Sequence, residues 1–151
     1  MNQVAFKVVE GKSKGKDFTL KPGECCAIGR SLDKKTETKL LSIDSNISLD
    51  EISKNVVMQY VSSHFNKLPQ GDSQGKQEVG GFRRLRDFHL TDSSVSRLHS
   101  MMFCEKTGAG VVDLVSKNGT FVNGVEVEST SLKNDDLIKV GNTKIRVSIS
   151  E

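Results

Sequence analysis

The sequence predicts an all-β fold, a β-sandwich of about 8–11 short strands with one amphipathic α-helix inserted near residues 49–67. Short runs in which apolar and polar residues alternate recur along the 151 residues. Turn-forming pairs such as Asn-Gly separate these runs at close spacing. One stretch, residues 31–87, lacks this rhythm and contains apolar residues at helical spacing instead.

A chain of this length suits one domain with one hydrophobic core. We therefore expect a single domain over residues 1–151, with a sandwich core of about 4–30 and 88–149 and an insertion of 31–87. Trp is absent from the chain. The core must therefore consist largely of Val, Ile, Leu and Phe.

Three strands are predicted before the insertion. Residues 4–9 alternate between apolar and polar types, and residues 17–20 and 25–28 form further short strands. The Gly/Lys/Ser-rich residues 11–16 and a Pro-Gly pair provide the turns between them.

The inserted helix is predicted from a capping box and an apolar stripe. Ser48 is placed to cap the first turn, and Glu51 reaches back to it from three residues later. Pro69 ends the helix. The stripe consists of Leu49, Ile52, Val56, Val57, Tyr60, Val61, Phe65 and Leu68. The polar or glycine-rich flanks, residues 32–38 and 70–81, are expected to be mobile.

An apolar stripe of this size needs a covering surface. Three surfaces are open to it: the chain's own sandwich, a partner protein, or a second copy of the chain. Packing on its own sandwich is the default expectation.

After the insertion the remaining strands follow one another closely. They are predicted over residues 88–90, 99–104, 111–115, 125–127, 137–140 and 144–149. Asn118-Gly119 and Asn123-Gly124 each have the signature of a tight turn in which the backbone φ is positive. These junctions between strands are where a β-sandwich presents its loops.

The bulk properties argue against several classes of protein. The formal net charge of +3 is a smaller basic surplus than a non-specific nucleic-acid-binding groove usually has. No apolar run approaches the roughly 18 residues of a membrane span, and the first ten residues lack a signal-peptide pattern. We therefore expect neither a membrane nor a nucleic acid as the main partner.

The cysteines give no sign of a disulfide framework or a zinc site. Cys25 and Cys26 are adjacent, Cys104 stands alone, and no C-x-x-C occurs. We expect the three thiols to be small, largely buried hydrophobic groups, and we expect no metal or cofactor. Unpaired thiols favour a reduced setting, the cytoplasm or alternatively the nucleus.

Four short segments concentrate polar side chains at strand ends. They are Gly29-Arg30, Ser96-Arg97-Leu98-His99, Asn118-Gly119-Thr120-Phe121 and Val122-Asn123-Gly124. Together they supply guanidinium groups, a hydroxyl and amides, which are hydrogen-bond donors suited to an oxyanion. They include no activated nucleophile and no pair of carboxylates, so no catalytic residue and no enzyme activity are predicted.

The order and spacing of these motifs resemble those of the forkhead-associated (FHA) domain, a phosphothreonine-binding β-sandwich. The resemblance covers roughly residues 4–30 and 88–149. The chain departs from the family pattern at residues 31–87, where such domains have a short connection between the third and fourth strands. The resemblance implies an intracellular signalling or assembly module whose partner is a phosphothreonine-containing protein.

The resemblance also implies a site. The phosphopeptide-binding residues are expected to be Arg30, Ser96, Arg97, Lys117 and Asn118. A phosphothreonine carries about −1.5 to −2 charges and three acceptor oxygens, which guanidinium, hydroxyl and ammonium groups can match. Structural support is expected from Gly29, His99, Gly119, Asn123 and Gly124. For Gly29, the relief of a tight turn and a direct role in the site are both open.

Three other interpretations compete with this one. The chain could be a phosphate-independent scaffold or a homo-oligomer that assembles through the inserted helix. Arg83, Arg84 and Arg86 form a small basic cluster that a nucleic acid could contact. An enzyme has the least support, because the three histidines have no partner at a recognisable spacing.

The position of the insertion suggests a role for it. The insertion begins immediately after Arg30, so its ends could reach the ligand loops. We expect it to modulate peptide access or to add a second contact surface.

Overall fold

The computed structural model describes residues 2–31, 46–65 and 78–150. Over these ranges the chain forms thirteen β-strands and one α-helix. In chain order the elements are β1 (Gln3–Glu10), β2 (Asp17–Leu20), β3 (Glu24–Arg30), α1 (Glu51–His64), β4 (Glu78–Val79), β5 (Phe82–Arg84), β6 (Phe88–Leu90), β7 (Ser100–Glu105), β8 (Gly108–Asp113), β9 (Thr120–Val122), β10 (Val125–Val127), β11 (Ser129–Leu132), β12 (Leu137–Val140) and β13 (Thr143–Ser150).

The strands form two sheets, and the predicted all-β sandwich is confirmed. The first sheet has the order β10-β9-β12-β13-β1-β2. The second has the order β11-β8-β7-β3-β5-β4, and β6 also pairs with β3. The predicted strand number was too low, because β4, β5, β9 and β11 were missed. These strands contain only two to four residues each, too few to show a clear alternation.

The main hydrophobic core lies between the two sheets. In β1, Val4, Phe6 and Val8 are fully buried while the residues between them face outward, as the alternating sequence predicts. Side chains such as Ile145 and Val147 of β13 extend this core. The sandwich therefore closes around the aliphatic and phenylalanine residues that the composition favoured.

Strand β3 is buried on both of its faces. Cys26 and Ile28 point into the core between the sheets, whereas Cys25 and Ala27 point to the opposite face of the second sheet. This explains why β3 reads as a continuous apolar run without alternation. All three cysteines are buried, as expected, and burial raises the pKa of Cys26 to about 12.

The inserted helix covers the outer face of the second sheet. Val57, Tyr60 and Val61 are buried there in one cluster with Met101 and Phe103 of β7. The stripe thus packs on the chain's own sandwich, the default expectation. Ile52 was assigned to the stripe but is 64% exposed, and Leu68 lies outside the described residues.

The start of the helix differs from the predicted capping box. The N-cap is Asp50, whose side chain accepts a hydrogen bond from the Ser53 backbone N–H at 2.7 Å. Aspartate caps a helix as well as serine does, so the cap falls two residues after Ser48 and Glu51 becomes the first helical residue. At the other end the C-cap is Phe65, and Pro69 lies outside the described residues.

Tyr60 fixes how the helix lies across the sheet. Its hydroxyl donates a hydrogen bond to the Thr130 carbonyl oxygen of β11 at 3.3 Å. The Tyr60 side chain crosses Gly110 of β8 to reach β11, and a Cβ at Gly110 would overlap the tyrosine hydroxyl oxygen. Gly110 is therefore the position that lets the tyrosine reach the edge strand.

Part of the stretch expected to be mobile forms a β-hairpin. Strands β4 and β5 pair through a turn at Gly80-Gly81, and both glycines have positive φ. A Gly-Gly pair between Val79 and Phe82 is a recognised hairpin signal. The expectation of mobility was therefore wrong for residues 78–81, while 32–38 and 70–77 lie outside the described residues.

A buried clasp joins the segment before the helix to the strands after it. The Arg84 guanidinium lies 2.7 Å from an Asp87 carboxylate oxygen, and both side chains are almost fully buried. The other Asp87 carboxylate oxygen accepts from the Ile47 N–H at 3.0 Å, and the Asn46 side chain accepts from the Asp87 N–H at 2.8 Å. We call these four residues the Arg84 clasp.

Burial in the clasp removes Arg84 from the predicted basic surface cluster. A nucleic acid cannot contact this guanidinium, although Arg83 and Arg86 are exposed. In the described ranges, no helix combines the length and apolar character needed to cross a bilayer.

Candidate functional site

Three loops meet at one end of the sandwich. Strands β3 and β6 run parallel, with Arg30 opposite Leu90, so both end at the same edge of the second sheet. The β6–β7 loop follows from there, and the β8–β9 loop lies beside it. This arrangement gathers polar groups from three of the four predicted motif segments on one surface.

Arg30 and Ser96 lie side by side. The Arg30 backbone N–H donates to the Ser96 carbonyl oxygen at 3.0 Å. The Arg30 guanidinium donates through Nη1 to the Val95 carbonyl oxygen at 3.2 Å. This second bond leaves the remaining N–H groups of the planar fork for other acceptors.

Gly29 acts through close approach and not through a turn. It lies within β3, opposite His89, and its φ is not in the left-handed region. A Cβ at this position would overlap the Arg97 carbonyl oxygen. Glycine therefore allows the β6–β7 loop to lie directly against β3, which is what brings Ser96 to Arg30.

His99 joins two of the loops from within the protein. Its side chain is fully buried. Nδ1 accepts from the Ser96 N–H at 3.0 Å, and Nε2 lies 2.8 Å from the Gly119 carbonyl oxygen. Nε2 must therefore donate, and the ring is a neutral tautomer with its proton on Nε2. His99 thus links the β6–β7 and β8–β9 loops from inside the protein.

Burial lowers the pKa of His99, because it disfavours the charged imidazolium, against the opposing effects of the Gly119 carbonyl and of Asp113 and Asp92. The unfolded chain then binds a proton more readily than the folded one. Below the ordinary histidine pKa of about 6.5, the free energy of unfolding should therefore decrease as the pH falls.

We expect the thermal midpoint to fall between pH 7 and pH 5, because the unfolded chain gains a proton at His99 that the folded chain disfavours. Calorimetry across this range measures the effect, and an NMR titration of the His99 ring assigns it. A His99 ring that titrates at or above pH 6.5 would contradict the prediction.

The β8–β9 loop brings Lys117 and Asn118 to the same surface. The Lys117 backbone N–H donates to the Ser96 hydroxyl oxygen at 3.0 Å. The Asn118 side chain donates through Nδ2 to the Ser94 carbonyl oxygen at 2.8 Å. Lys117, Asn118 and Arg97 are all exposed. The five predicted phosphopeptide-binding residues thus lie at one end of the sandwich, Arg30 at the end of β3 and the other four on the two adjoining loops.

Two aspartates that the sequence reasoning missed hold the loops in shape. Asp92 accepts from the Ser94 N–H at 2.9 Å and from the Thr143 hydroxyl at 2.7 Å. Asp113 accepts from the Ser116 N–H at 3.0 Å and from the Thr120 hydroxyl at 2.7 Å. The spacing Asp-x-Ser or Asp-x-x-Ser, typical of side-chain-to-backbone turns, is the signal that could have indicated them.

These bonds also affect the charge of Asp92. Burial alone would raise the pKa of its carboxyl, but the hydrogen bonds from Thr143, Ser94 and Asn142 outweigh it and lower the pKa. Asp92 therefore remains an anion that ties the β6–β7 loop to the β12–β13 turn.

Asn123, Gly119 and Gly124 are conformational residues. All three have positive φ. The Asn123 side chain donates to Asp136 at 2.9 Å and accepts from the Leu137 N–H at 3.0 Å. It thereby braces the β9–β10 turn against the start of β12.

The site offers donors and positive charge on an exposed surface. Arg30, Arg97 and Lys117 supply the charge, and Ser96 and Asn118 supply a hydroxyl and an amide. Within the part of the chain that the structure describes, there is no group of three or more side chains able to hold a metal ion. The arrangement is suited to holding an anion on an extended chain.

A β-sandwich that gathers polar groups from several loops at one end has the arrangement in which binding and catalytic residues are commonly placed. Residues 81–141 match the sequence model of the FHA domain family, a segment that includes the Ser96 and Asn118 motifs. Solved FHA domains share the fold over nearly the whole chain. The FHA domain of the Chlamydia trachomatis protein CT664 superposes with a TM-score of 0.59 at 18% identity, covering 99% of this chain and 100% of that one.

The chain therefore has the fold of an FHA domain and matches that family's sequence model over residues 81–141, with a helical insertion between β3 and β6. The Mycobacterium tuberculosis glycogen accumulation regulator GarA is 39% identical over 59 residues, which are 39% of this chain and 36% of that protein. The match thus spans about a third of the length of such relatives. Mycobacterium tuberculosis EmbR, solved in complex with a low-affinity phosphopeptide, has a TM-score of 0.56 at 17% identity, covering 99% of this chain and 25% of that one.

Proposed function

We propose that this chain binds a phosphothreonine-containing segment of another protein at the Arg30–Ser96 end of the sandwich. The observation that carries the proposal is the close approach of Arg30 to the β6–β7 loop. Its backbone N–H donates to the Ser96 carbonyl oxygen, and its guanidinium donates to the Val95 carbonyl oxygen. The complex of the related fold in EmbR with a phosphopeptide supports the same class of ligand.

Each predicted residue has a role in this proposal. The Arg30 fork and the Ser96 hydroxyl donate to the phosphate oxygens, and charge-assisted bonds of this kind are among the strongest available at a surface. The exposed side chains of Lys117 and Arg97 add positive charge on the two adjoining loops. Asn118 exchanges its bond with the Ser94 carbonyl for bonds to the peptide main chain.

The proposed activity is binding and not catalysis. A serine nucleophile needs a base on its hydroxyl. Here the His99 ring accepts from the Ser96 backbone N–H, and the Ser96 oxygen instead accepts from the Lys117 N–H. The imidazole therefore positions the serine without activating it.

The competing scaffold interpretation loses its principal surface. It relied on the apolar stripe of α1, and that stripe is covered by β7 and neighbouring strands of the same chain. The nucleic-acid interpretation relied on three arginines, of which Arg84 is buried.

The experiment that tests the proposal is a titration of phosphothreonine peptides against Ser96→Ala. Peptides selected from a degenerate phosphothreonine library should bind the natural chain only when phosphorylated. We expect Ser96→Ala to weaken this binding by about 10- to 100-fold, since it removes a bond to a charged group worth about 1.5–3 kcal/mol. Ser148→Ala, an exposed serine on β13, is the matched control.

Equal affinity for the phosphorylated and unphosphorylated forms would refute the proposed function. Unchanged affinity in Ser96→Ala would refute the role of this hydroxyl. Thermal unfolding of both variants checks that a loss of binding is not a loss of fold.

A further inference from the structure

A groove next to the phosphate-binding loops is not used by the proposed site. Its volume is about 600 Å³, and it lies between α1, the end of β8 and strand β10. Val56, Val115 and Val127 provide apolar walls, and Glu126 and Glu128 provide acidic ones. A groove with aliphatic walls and carboxylates suits a chain that carries aliphatic and basic side chains.

Val115 in the groove has an unfavourable backbone conformation and an exposed apolar side chain. It has a φ of 56°, which β-branched residues rarely adopt, and its side chain is 62% exposed. Bonds on either side hold it there, from the Leu114 N–H to the His99 carbonyl oxygen at 2.9 Å and from the Ser116 N–H to Asp113 at 3.0 Å. Neither conformational preference nor burial favours valine at this position, so a contact made by its side chain is the remaining reason for it.

The groove is continuous with the site through one loop. Ser116 lines the groove, and the next residue, Lys117, donates its backbone N–H to the Ser96 hydroxyl. Consecutive Cα atoms lie about 3.8 Å apart, so the two surfaces share an edge. A peptide in extended form advances about 3.3 Å per residue, and a few residues beyond the phosphothreonine are enough to enter the groove.

The charges of the two surfaces are opposite. Arg30, Arg97 and Lys117 make the loop surface cationic, whereas the exposed carboxylates of Glu126 and Glu128 make the groove anionic. A ligand that fits both must carry its negative charge at one point and positive charge further along. A uniformly acidic phosphopeptide would be repelled from the groove.

We infer that the groove binds the segment that flanks the phosphothreonine in the same partner chain, and that this segment carries a Lys or Arg next to an aliphatic residue. The inference rests on the proposed function. It also gives the inserted helix a role, since Val56 of α1 forms one wall. The helix then adds a second contact surface to the loop site.

The test uses two peptide libraries with degenerate positions on both sides of a fixed threonine, one phosphorylated and one not. Expected variants are Glu128→Lys, which reverses a groove charge, and Val115→Asn, which removes the aliphatic side chain while accepting the positive φ. Asp17→Lys is the matched control, because β2 and β10 are opposite edges of the same sheet.

The natural chain and Asp17→Lys should enrich Lys or Arg together with Val, Ile or Leu at flanking positions of the phosphorylated library. Glu128→Lys should lose the basic enrichment and bind the best natural peptide about two- to five-fold more weakly, as expected for an exposed charge pair. Val115→Asn should lose the aliphatic enrichment. Both variants should still require the phosphate.

Phosphate-dependent binding without flanking enrichment would overturn the inference and leave the proposed function intact. The same holds if enrichment persists unchanged in both groove variants. Retention of neither library, or of both equally, would overturn the proposed function and this inference together.

Discussion

Replacing Arg30 with alanine is expected to abolish measurable binding of phosphothreonine peptides while the sandwich remains folded. The guanidinium stands where β3 meets the β6–β7 loop, and one of its N–H groups is anchored on the Val95 carbonyl oxygen. Losing one partner of a buried charged pair costs about 2–5 kcal/mol, which is a loss of roughly 30-fold or more in affinity. Isothermal titration with a selected phosphopeptide measures this loss.

Arg146→Ala provides the matched control for Arg30→Ala. Arg146 is also an arginine at the surface, but it lies on β13 and donates to the Asp135 carbonyl oxygen. It should leave peptide affinity within about two-fold of the natural chain, as expected for an exposed group outside the interface. If Arg30→Ala binds as tightly as this control, then Arg30 does not hold the phosphate.

The Arg30 bonds to the β6–β7 loop are made partly by the backbone, which the substitution retains. The Arg30 N–H still donates to the Ser96 carbonyl oxygen in the variant. The thermal midpoint should therefore change by only a few degrees. A large loss of stability would mean that the Arg30 guanidinium contributes mainly to the stability of the fold and not to ligand binding.

The largest expected effect on stability comes from Arg84→Ala. This change leaves the Asp87 carboxylate buried without its guanidinium, and breaking such a pair costs about 3–5 kcal/mol. A domain of this size loses about 2–4 °C per kcal/mol, so the thermal midpoint should fall by roughly 10 °C. Burial already raises the pKa of Asp87 against the opposing charge of Arg84, and removing the guanidinium strengthens that effect.

Arg83→Ala is the neighbouring control. Arg83 is 76% exposed, and its contact with Glu24 at 3.4 Å is a surface pair of little expected value. Calorimetry of the two variants side by side compares one arginine with the next along β5. Equal midpoints would mean that the clasp does not stabilise the insertion.

The sequence predicted the parts of the fold that follow from local pattern. The alternation of Val4, Phe6 and Val8 was sufficient for β1, and the amphipathic stripe was sufficient for the presence of α1. Strands such as β4 and β9 were not predicted, because two or three residues are too few to show the apolar–polar alternation of a strand. The helix start was misplaced because Ser48 and Asp50 are equally good caps, and only the packed structure selects between them.

The site could be predicted only in part, because its geometry depends on long-range pairing. Arg30 reaches Ser96 through the parallel pairing of β3 with β6, which no local pattern shows. The family resemblance supplied the site residues. The need for glycine at position 29 follows only from the structure, in which the Arg97 carbonyl oxygen occupies the place of a Cβ. Arg84 could not be told from Arg83 by sequence, since its burial depends on Asn46 and Asp87.

The covering of the second sheet by α1 also determines what removal of the helix would do to the protein. An apolar surface lies beneath the helix and consists of Cys25, Ala27, Met101, Phe103 and Val112. A chain with these same side chains but without the helix would expose them to solvent and would tend to aggregate. The inserted helix and the apolar surface beneath it are therefore coupled, and a variant without the helix would need polar substitutions at these positions to stay monomeric.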